Sequence, residues 1–319
     1  MTDSKQEKGL VLTRYLYSLD EVKHSLLLSI LDKNSEEALF WAYEIYHSGL
    51  PEHAFSLVTN IYDDLFAVDN PDLLKPFQRI LKAYEESPSE KDEVGLGTMV
   101  HNLCLRKYRI EDFMETYIGV VCEPHPNLEP NSKKKCFYVT LTPESVAQYK
   151  TKPPIERPYL YLREVCKFSI HKEANAIFGD VADGHYTDLF VHHWLYFACR
   201  SPIWKGRVEE FGGVIDDASK KVVFYNEAGE EDEDQESDFY DIWNMSPDEQ
   251  PLEITTRVIG PNIVIYMSAI DLCRKYGGVV KTKKLARKLN VNALASLTDV
   301  ASPTDVASLT NSLVATTLA

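Results

Sequence analysis

The sequence predicts a mainly α protein: an N-terminal antiparallel multi-helix module, bundle or solenoid-like, followed by a smaller α+β region. Three observations carry this reading. Four amphipathic segments of helix length follow one another between Ser18 and Tyr84, joined by turns of a few residues. Prolines then crowd the stretch 123–158 and interrupt any long helix. Beyond it, short apolar runs alternate with turn signals, and Lys221 to Tyr225 is rich in the β-branched and aromatic types that suit a pleated surface.

Residues 1–9 form a polar lead, and Leu10 to Leu16 a short apolar approach to the first helix. The first helical segment, Leu19 to Lys33, opens at Ser18 with Glu21 three residues on, the capping-box spacing, and repeats Val22, Leu26, Leu27, Ile30 and Leu31 at helical period. The second follows Asn34 and Ser35, carries Glu36 and Glu37 in its first turn, and stops at Ser48 before Gly49 and Pro51. Leu39, Phe40, Trp41, Tyr43, Ile45 and Tyr46 leave little of it polar, so it is expected at the centre of the module with Trp41 as an anchor. Pro51 to Phe66 starts with proline at the first turn. The fourth follows Asn70 and Pro71 with Leu73, Leu74, Phe77, Ile80, Leu81 and Tyr84 on a stripe.

The run YLYSLDEVKHSLLLSILDKNSEEALFWAYEIYHSGL resembles the opening of uncharacterised proteins of nucleocytoplasmic large DNA viruses, most clearly from Tyr15 to Phe66. That resemblance implies an infected eukaryotic cell, with the protein in the cytoplasmic virus factory or the virion, and partners among other viral or host proteins. It implies no catalytic residue.

Ser87 to Gly97 reads as a loop, with helices at Thr98 to Lys107 and Ile110 to Val121. Met99, Leu103, Leu105, Phe113, Tyr117 and Val121 are their expected core positions. The helical module is thus expected over 10–122, the proline-rich connection over 123–158, the α+β region over 159–289 and a low-complexity tail over 290–319, where Thr298 to Ser302 recurs as Thr304 to Ser308. Within the connection, Cys136 to Leu141 is expected as a strand, and Thr142 with Pro143 opens a short helix to Tyr149. In the α+β region Ser201, Pro202 and Trp204 mark a turn before a short helix at Val208 to Phe211. Lys221 to Tyr225 and Ile254 to Ile259 are expected strands, and Ile263 to Tyr276 a helix stopped by Gly277 and Gly278.

Composition bounds the function classes. A formal charge of −15 over 319 residues disfavours diffuse binding to nucleic acid or anionic membrane. No apolar run reaches the roughly eighteen residues that cross a bilayer, and the polar start is unlike a secretory signal. Six scattered cysteines with no CxxC pair argue for a reducing compartment, cytoplasmic or nuclear. No phosphate loop, dinucleotide fingerprint, GxSxG or HExxH is present, so neither an enzyme nor a cofactor is expected.

Four constellations remain. The stretch from Glu227 to Asp241 carries nine acids and no base, and is expected as an exposed loop. Its Glu230, Glu231, Asp232, Glu233 and Asp234 would steer a basic partner that Phe239, Tyr240 and Trp243 then anchor. Arg274, Lys275, Lys281, Lys283, Lys284, Arg287 and Lys288 form a basic segment free of acids. This segment is the basis of the alternative reading, a transcription or nucleic-acid accessory protein, although neutralising the chain's own acids is the simpler role. Asp183, His185, Asp188, His192 and His193 have the residue types of a zinc site and are the basis of a third, last-ranked reading, a metal-dependent enzyme around His185 to His193, but His192 and His193 point about 100° apart on a helix. A Cys–His nucleophilic pair such as Cys166 with His171 is a weaker signal still, since six Cys and nine His offer many such pairings by chance, and Lys133 to Lys135 reads as a solvated turn.

Overall fold

The structure, a computed structural model, describes residues 10–87, 89, 91–124, 137–150, 161–178, 193–243, 252–259 and 267–280. The expectations for the lead 1–9, Lys133 to Lys135, Asp183, His185, Asp188, His192 and everything from Lys281 onward lie outside these residues. The described chain is mainly helical, with short antiparallel strands in two small sheets.

Helices α1 (Leu19–Leu31), α2 (Ser35–Tyr46), α3 (Pro51–Ile61) and α4 (Leu74–Glu86) reproduce the four amphipathic segments. A π-helical turn, Tyr62–Phe66, prolongs α3, and a 3₁₀ turn, Pro71–Leu73, leads into α4. α1 ends two residues before the sequence suggests, because Lys33 turns into the left-handed region at φ 62°.

The next element departs from expectation. Instead of a loop to Gly97, α5 (Lys91–Leu105) begins at Lys91, and its Gly95 serves packing rather than flexibility. A Cβ on Gly95 would lie 2.7 Å from Ile80 Cγ2, so glycine is what lets α5 close on α4. Met99 and Leu103 are buried as expected, whereas Leu105 is exposed. α6 (Glu111–Phe113) continues as a π turn to Ile118 and ends at Gly119, φ 71°. Phe113 is buried and Tyr117 half-buried.

The short strand β1 (Cys122–Pro124) follows. Residues 137–141 form no strand ladder, in correction of the sequence reading, and α7 (Pro143–Ala147) starts where Thr142 and Pro143 place it. Then come α8 (Tyr161–Val165), α9 (Asn175–Phe178), α10 (193–198) and α11 (Pro202–Glu209). The expected turn at Ser201 to Trp204 is the start of α11: Pro202 occupies the first helical position, where its missing N–H costs nothing.

The strand at Lys221 is found as β3 (Lys221–Phe224), paired in a hairpin with β2 (Gly213–Asp216), Gly213 opposite Phe224 and Asp216 opposite Lys221. The acidic segment is a further correction, since it folds into α12 (Glu233–Trp243). Asp232 caps that helix by accepting from the N–H groups of Asp234 and Gln235 at 2.9 and 3.2 Å, and the acids of the first turn lie where the helix dipole favours them.

The expected strand at Ile254 is helix α13 (Leu252–Ile259). Its buried residues Ile254, Thr255 and Val258 keep helical rather than alternating spacing, so packing overrides β propensity. α14 (Ala269–Lys275) is capped reciprocally by Ser268 and Asp271. Gly277, φ 99°, then turns the chain into β4 (Gly278–Val280), which pairs antiparallel with β1.

The chain contributes to two compact units in alternation. One comprises Met1–Ser29, Glu36–Pro51 and Ala147–Tyr266; the other Ile30–Ser35, Glu52–Val146 and Met267–Ala319. One crossing, Val146 to Ala147, falls in the proline-rich stretch 123–158. The remaining crossings interleave what the sequence divides linearly.

The first unit is built on aromatic contacts. Trp41 is fully buried, its ring 5.0 Å from Tyr17 and 4.9 Å from Phe40, and Phe40 lies 5.2 Å from Phe168. A second series runs from Tyr15 through Tyr161, Trp243 and Trp204 to Trp194 at centroid spacings of 5.3–6.0 Å. These edge-to-face spacings are the favourable ones for aromatic pairs. In the second unit Tyr62 meets Phe77 at 5.2 Å and Phe55 meets Tyr84 at 4.5 Å. There Arg109 grips Asp69 with two bonds of 2.8 Å.

Candidate interaction surfaces

The acidic segment lies in the first unit. Glu230, Glu231, Glu233 and Asp234 are exposed and Asp232 is half-buried. Among the described residues, no Lys or Arg forms an ion pair with any of these five. The anchors expected beside them are elsewhere employed. Phe239 is fully buried, 5.2 Å from Phe224 and 5.7 Å from Phe211, and Trp243 is 8% exposed. Four residues apart on one helix, the two share a face, and that face is core. Tyr240 is half-buried, 6.1 Å from Trp194. The pattern of acids followed by aromatics is therefore a capped helix with a wet side and an apolar side, and its aromatics are not free to hold a partner.

What Trp243 does is set by Arg207. The guanidinium is stacked 4.1 Å from the Trp243 ring and 4.3 Å from the Trp204 ring, and it donates to the Arg14 carbonyl at 3.3 Å. Burial pulls the Arg207 pKa down, partly offset by its contact with Tyr161. Beside it Arg14 Nε donates to Glu44 Oε2 at 2.8 Å, both side chains almost fully buried, while Glu44 Oε1 accepts from the Tyr15 N–H at 3.0 Å. The network ties residues 13–15 to α2 and α11; Trp204 Nε1 completes it by donating to the Thr13 carbonyl at 2.9 Å.

The histidine and thiol of the proposed nucleophilic pair are occupied separately. Cys166 Sγ donates to the Tyr15 carbonyl at 3.8 Å, and burial pushes its pKa up to about 12, the reverse of an activated thiolate. His171 sits between two carboxylates, Nε2 2.7 Å from Glu37 Oε1 and Nδ1 3.1 Å from Glu173 Oε1. Burial lowers the imidazole pKa, but the two carboxylate hydrogen bonds outweigh it and raise it to about 9. Glu37 also accepts from Trp41 Nε1 at 3.1 Å, so the charged pair latches onto the aromatic core.

Of the basic segment, Arg274 and Lys275 are described. Arg274 lies 3.8 Å from Asp271 and Lys275 3.3 Å from Asp32, both in the second unit, as self-neutralisation would have it. Of the histidine cluster, only His193 is described, at the start of α10. Among the described residues no group of three His, Cys, Asp or Glu is placed to hold a metal ion.

The second unit carries a feature that sequence reasoning missed. The segment 137–141 runs beside α5 and takes its hydrogen bonds from that helix's side chains. The Asn102 amide donates to the Val139 carbonyl at 2.7 Å while its carbonyl accepts from the Val139 N–H at 3.0 Å, and Thr98 Oγ1 accepts from the Leu141 N–H at 3.1 Å. Asn102 Nδ2 is held in turn by the Thr98 carbonyl at 2.7 Å. A carboxamide thus replaces the neighbouring strand that an extended backbone needs. Held by its main chain, the segment leaves Phe137 77% and Tyr138 38% exposed. Leu105, one helical turn beyond Asn102, is 44% exposed. Residues 37 apart leave no signal in the sequence beyond two polar residues, Thr98 and Asn102, one turn apart among the buried positions of α5. No helix of the described residues is long and apolar enough to cross a membrane. No protein-family model, curated protein or solved structure matches the chain.

Proposed function

We propose that this chain is a non-enzymatic protein-interaction or structural protein that engages its partner through Phe137 and Tyr138, displayed on the α5 clamp. One observation supports this most: a large aromatic, 77% exposed, on a backbone held at both Val139 and Leu141. Exposed aromatics are costly to leave in water and are the commonest anchors of protein interfaces, and a segment held in place loses little entropy on binding. The unpaired acids of α12 and its cap contribute an electrostatic attraction for basic partners. The resemblance over Tyr15 to Phe66 suggests the setting, the virion or virus factory, with viral or host proteins as partners. The pairing of Arg274 with Asp271 and of Lys275 with Asp32 supports self-neutralisation at these two residues.

The test compares partner capture by three folded proteins: wild type, the double variant Phe137→Asp/Tyr138→Asp, and a variant with Glu230, Glu231, Glu233 and Asp234 neutralised to Gln or Asn. The double variant should lose its partners. The neutralised variant should keep them, with slower association and a flatter salt dependence. Retention of every wild-type partner by the folded double variant overturns the proposal.

A further inference from the structure

We propose that Cys122 and Cys273 are a redox modification site, converted by a hydroperoxide into a reversible disulfide that staples β1 to α14. All the residues involved belong to the second unit. Cys122 opens β1 and Cys273 lies on α14, and the two sulfurs stand on either side of one point, the place a Cβ on Gly278 would take. The fold between them is made to bring the sulfurs together. β1 pairs with β4 so that Cys122 stands opposite Val280 and Pro124 opposite Gly278, and Gly277 turns the chain from α14 straight into β4. A Cβ on Gly278 would collide with the Cys273 sulfur and lie 3.1 Å from that of Cys122. Glycine there keeps open the space in which the two sulfurs approach each other.

The other described thiols are engaged differently. Cys166 donates to the Tyr15 carbonyl, and the Ser35 hydroxyl partly offsets the rise that burial gives the Cys104 thiol. The chemistry at Cys122 and Cys273 balances without a metal or cofactor. Cys122, 8% exposed against 0% for Cys273, is the sulfur that the oxidant reaches. Its sulfur gives up the thiol proton and attacks the outer oxygen of ROOH, the O–O bond breaks and ROH leaves with a proton, so that Cys122 becomes a sulfenic acid. The Cys273 sulfur then attacks that of Cys122, the S–O bond breaks, and hydroxide departs with the Cys273 proton as water. Two thiols are oxidised, one peroxide is reduced, and one S–S bond forms. Burial pushes the Cys122 thiol up to about 12 and raises that of Cys273 as well, so neither is an activated thiolate and the oxidation is slow at neutral pH; what sets the pair apart from Cys166 is the second sulfur beside it.

The full-length protein is treated with hydrogen peroxide at neutral pH without denaturant. Remaining thiols are then alkylated, linked peptides mapped, and thermal unfolding recorded with and without dithiothreitol. The expected result is a Cys122–Cys273 peptide as the main cross-linked product. Its mass is lower by two hydrogens, and the unfolding temperature rises, because a long closed loop constrains the unfolded chain; dithiothreitol returns both to the starting values. Cys122→Ser loses both effects, and Cys199→Ser keeps both. If Cys122→Ser does not fold, the wild-type peptide map decides alone. A Cys122 that is over-oxidised or linked to any other sulfur while Cys273 is alkylated overturns the proposal.

Discussion

His171 makes the stability of the first unit depend on pH in a direction its surroundings dictate. The imidazole is 17% exposed and bonded to Glu37 and Glu173, which outweigh burial and hold its pKa at about 9. In the unfolded chain it returns to about 6.5. The folded state therefore binds the proton more tightly. The stabilisation is complete below about pH 6.5 and is lost as pH rises through about 9. A difference of about 2.5 pKa units at 1.36 kcal/mol each corresponds to roughly 3 kcal/mol. That should lower the unfolding temperature by roughly 6–12 °C for a unit of this size. Glu37, whose net pKa is lowered by its His171 hydrogen bond despite burial, adds stability above the ordinary carboxylate range and loses it in acid. Thermal unfolding between pH 6 and 9.5 should show the decline in wild type and a nearly flat profile in His171→Gln. Equal slopes in the two proteins would refute the latch.

Three further outcomes follow from the geometry. Trp41→Ala removes a fully buried indole in contact with Tyr17 and Phe40, and should cost about 3–5 kcal/mol in chemical denaturation. Asn102→Ala strips both hydrogen bonds from Val139; it should destabilise by about 1–3 kcal/mol and raise amide exchange at Val139 and Leu141 ahead of global unfolding. Burial, and then the Asp64 charge, raise Asp63 to about 6, so folding favours its neutral form and its ionisation costs stability as pH rises through that value. Asp63→Asn should accordingly raise the unfolding temperature at pH 7 and leave it almost unchanged at pH 4.

The sequence is most legible where two independent signals coincide. α1 to α4 have both an apolar stripe and a punctuated end, such as Gly49 before Pro51 or Asn70 before Pro71, and all four are found. Reading failed where a local preference opposed tertiary packing. Gly95 and Gly97 suggest a loop, yet Gly95 is required by the approach of Ile80. Ile254, Thr255 and Val258 suggest a strand, but bury one helical face. In α12 the charge run hid the four-residue spacing of Phe239 and Trp243, and so their place in the core. β2, only Gly213–Asp216, is too short and glycine-led to stand out before its partner is known. The Asn102 clamp and the Cys122–Cys273 pair join residues distant in the chain, which no window of sequence brings together.

The proposed function requires Phe137 to meet another protein. Site-specific replacement of Phe137 by a photo-crosslinking phenylalanine analogue, followed by irradiation in a cell extract and mass spectrometry, tests it at the residue concerned. The expected result is a discrete cross-link from position 137 to a second protein, competed by unmodified wild type and still formed, though more slowly, when Glu230, Glu231, Glu233 and Asp234 are neutralised. Cross-links from position 137 solely to residues of its own chain would contradict it.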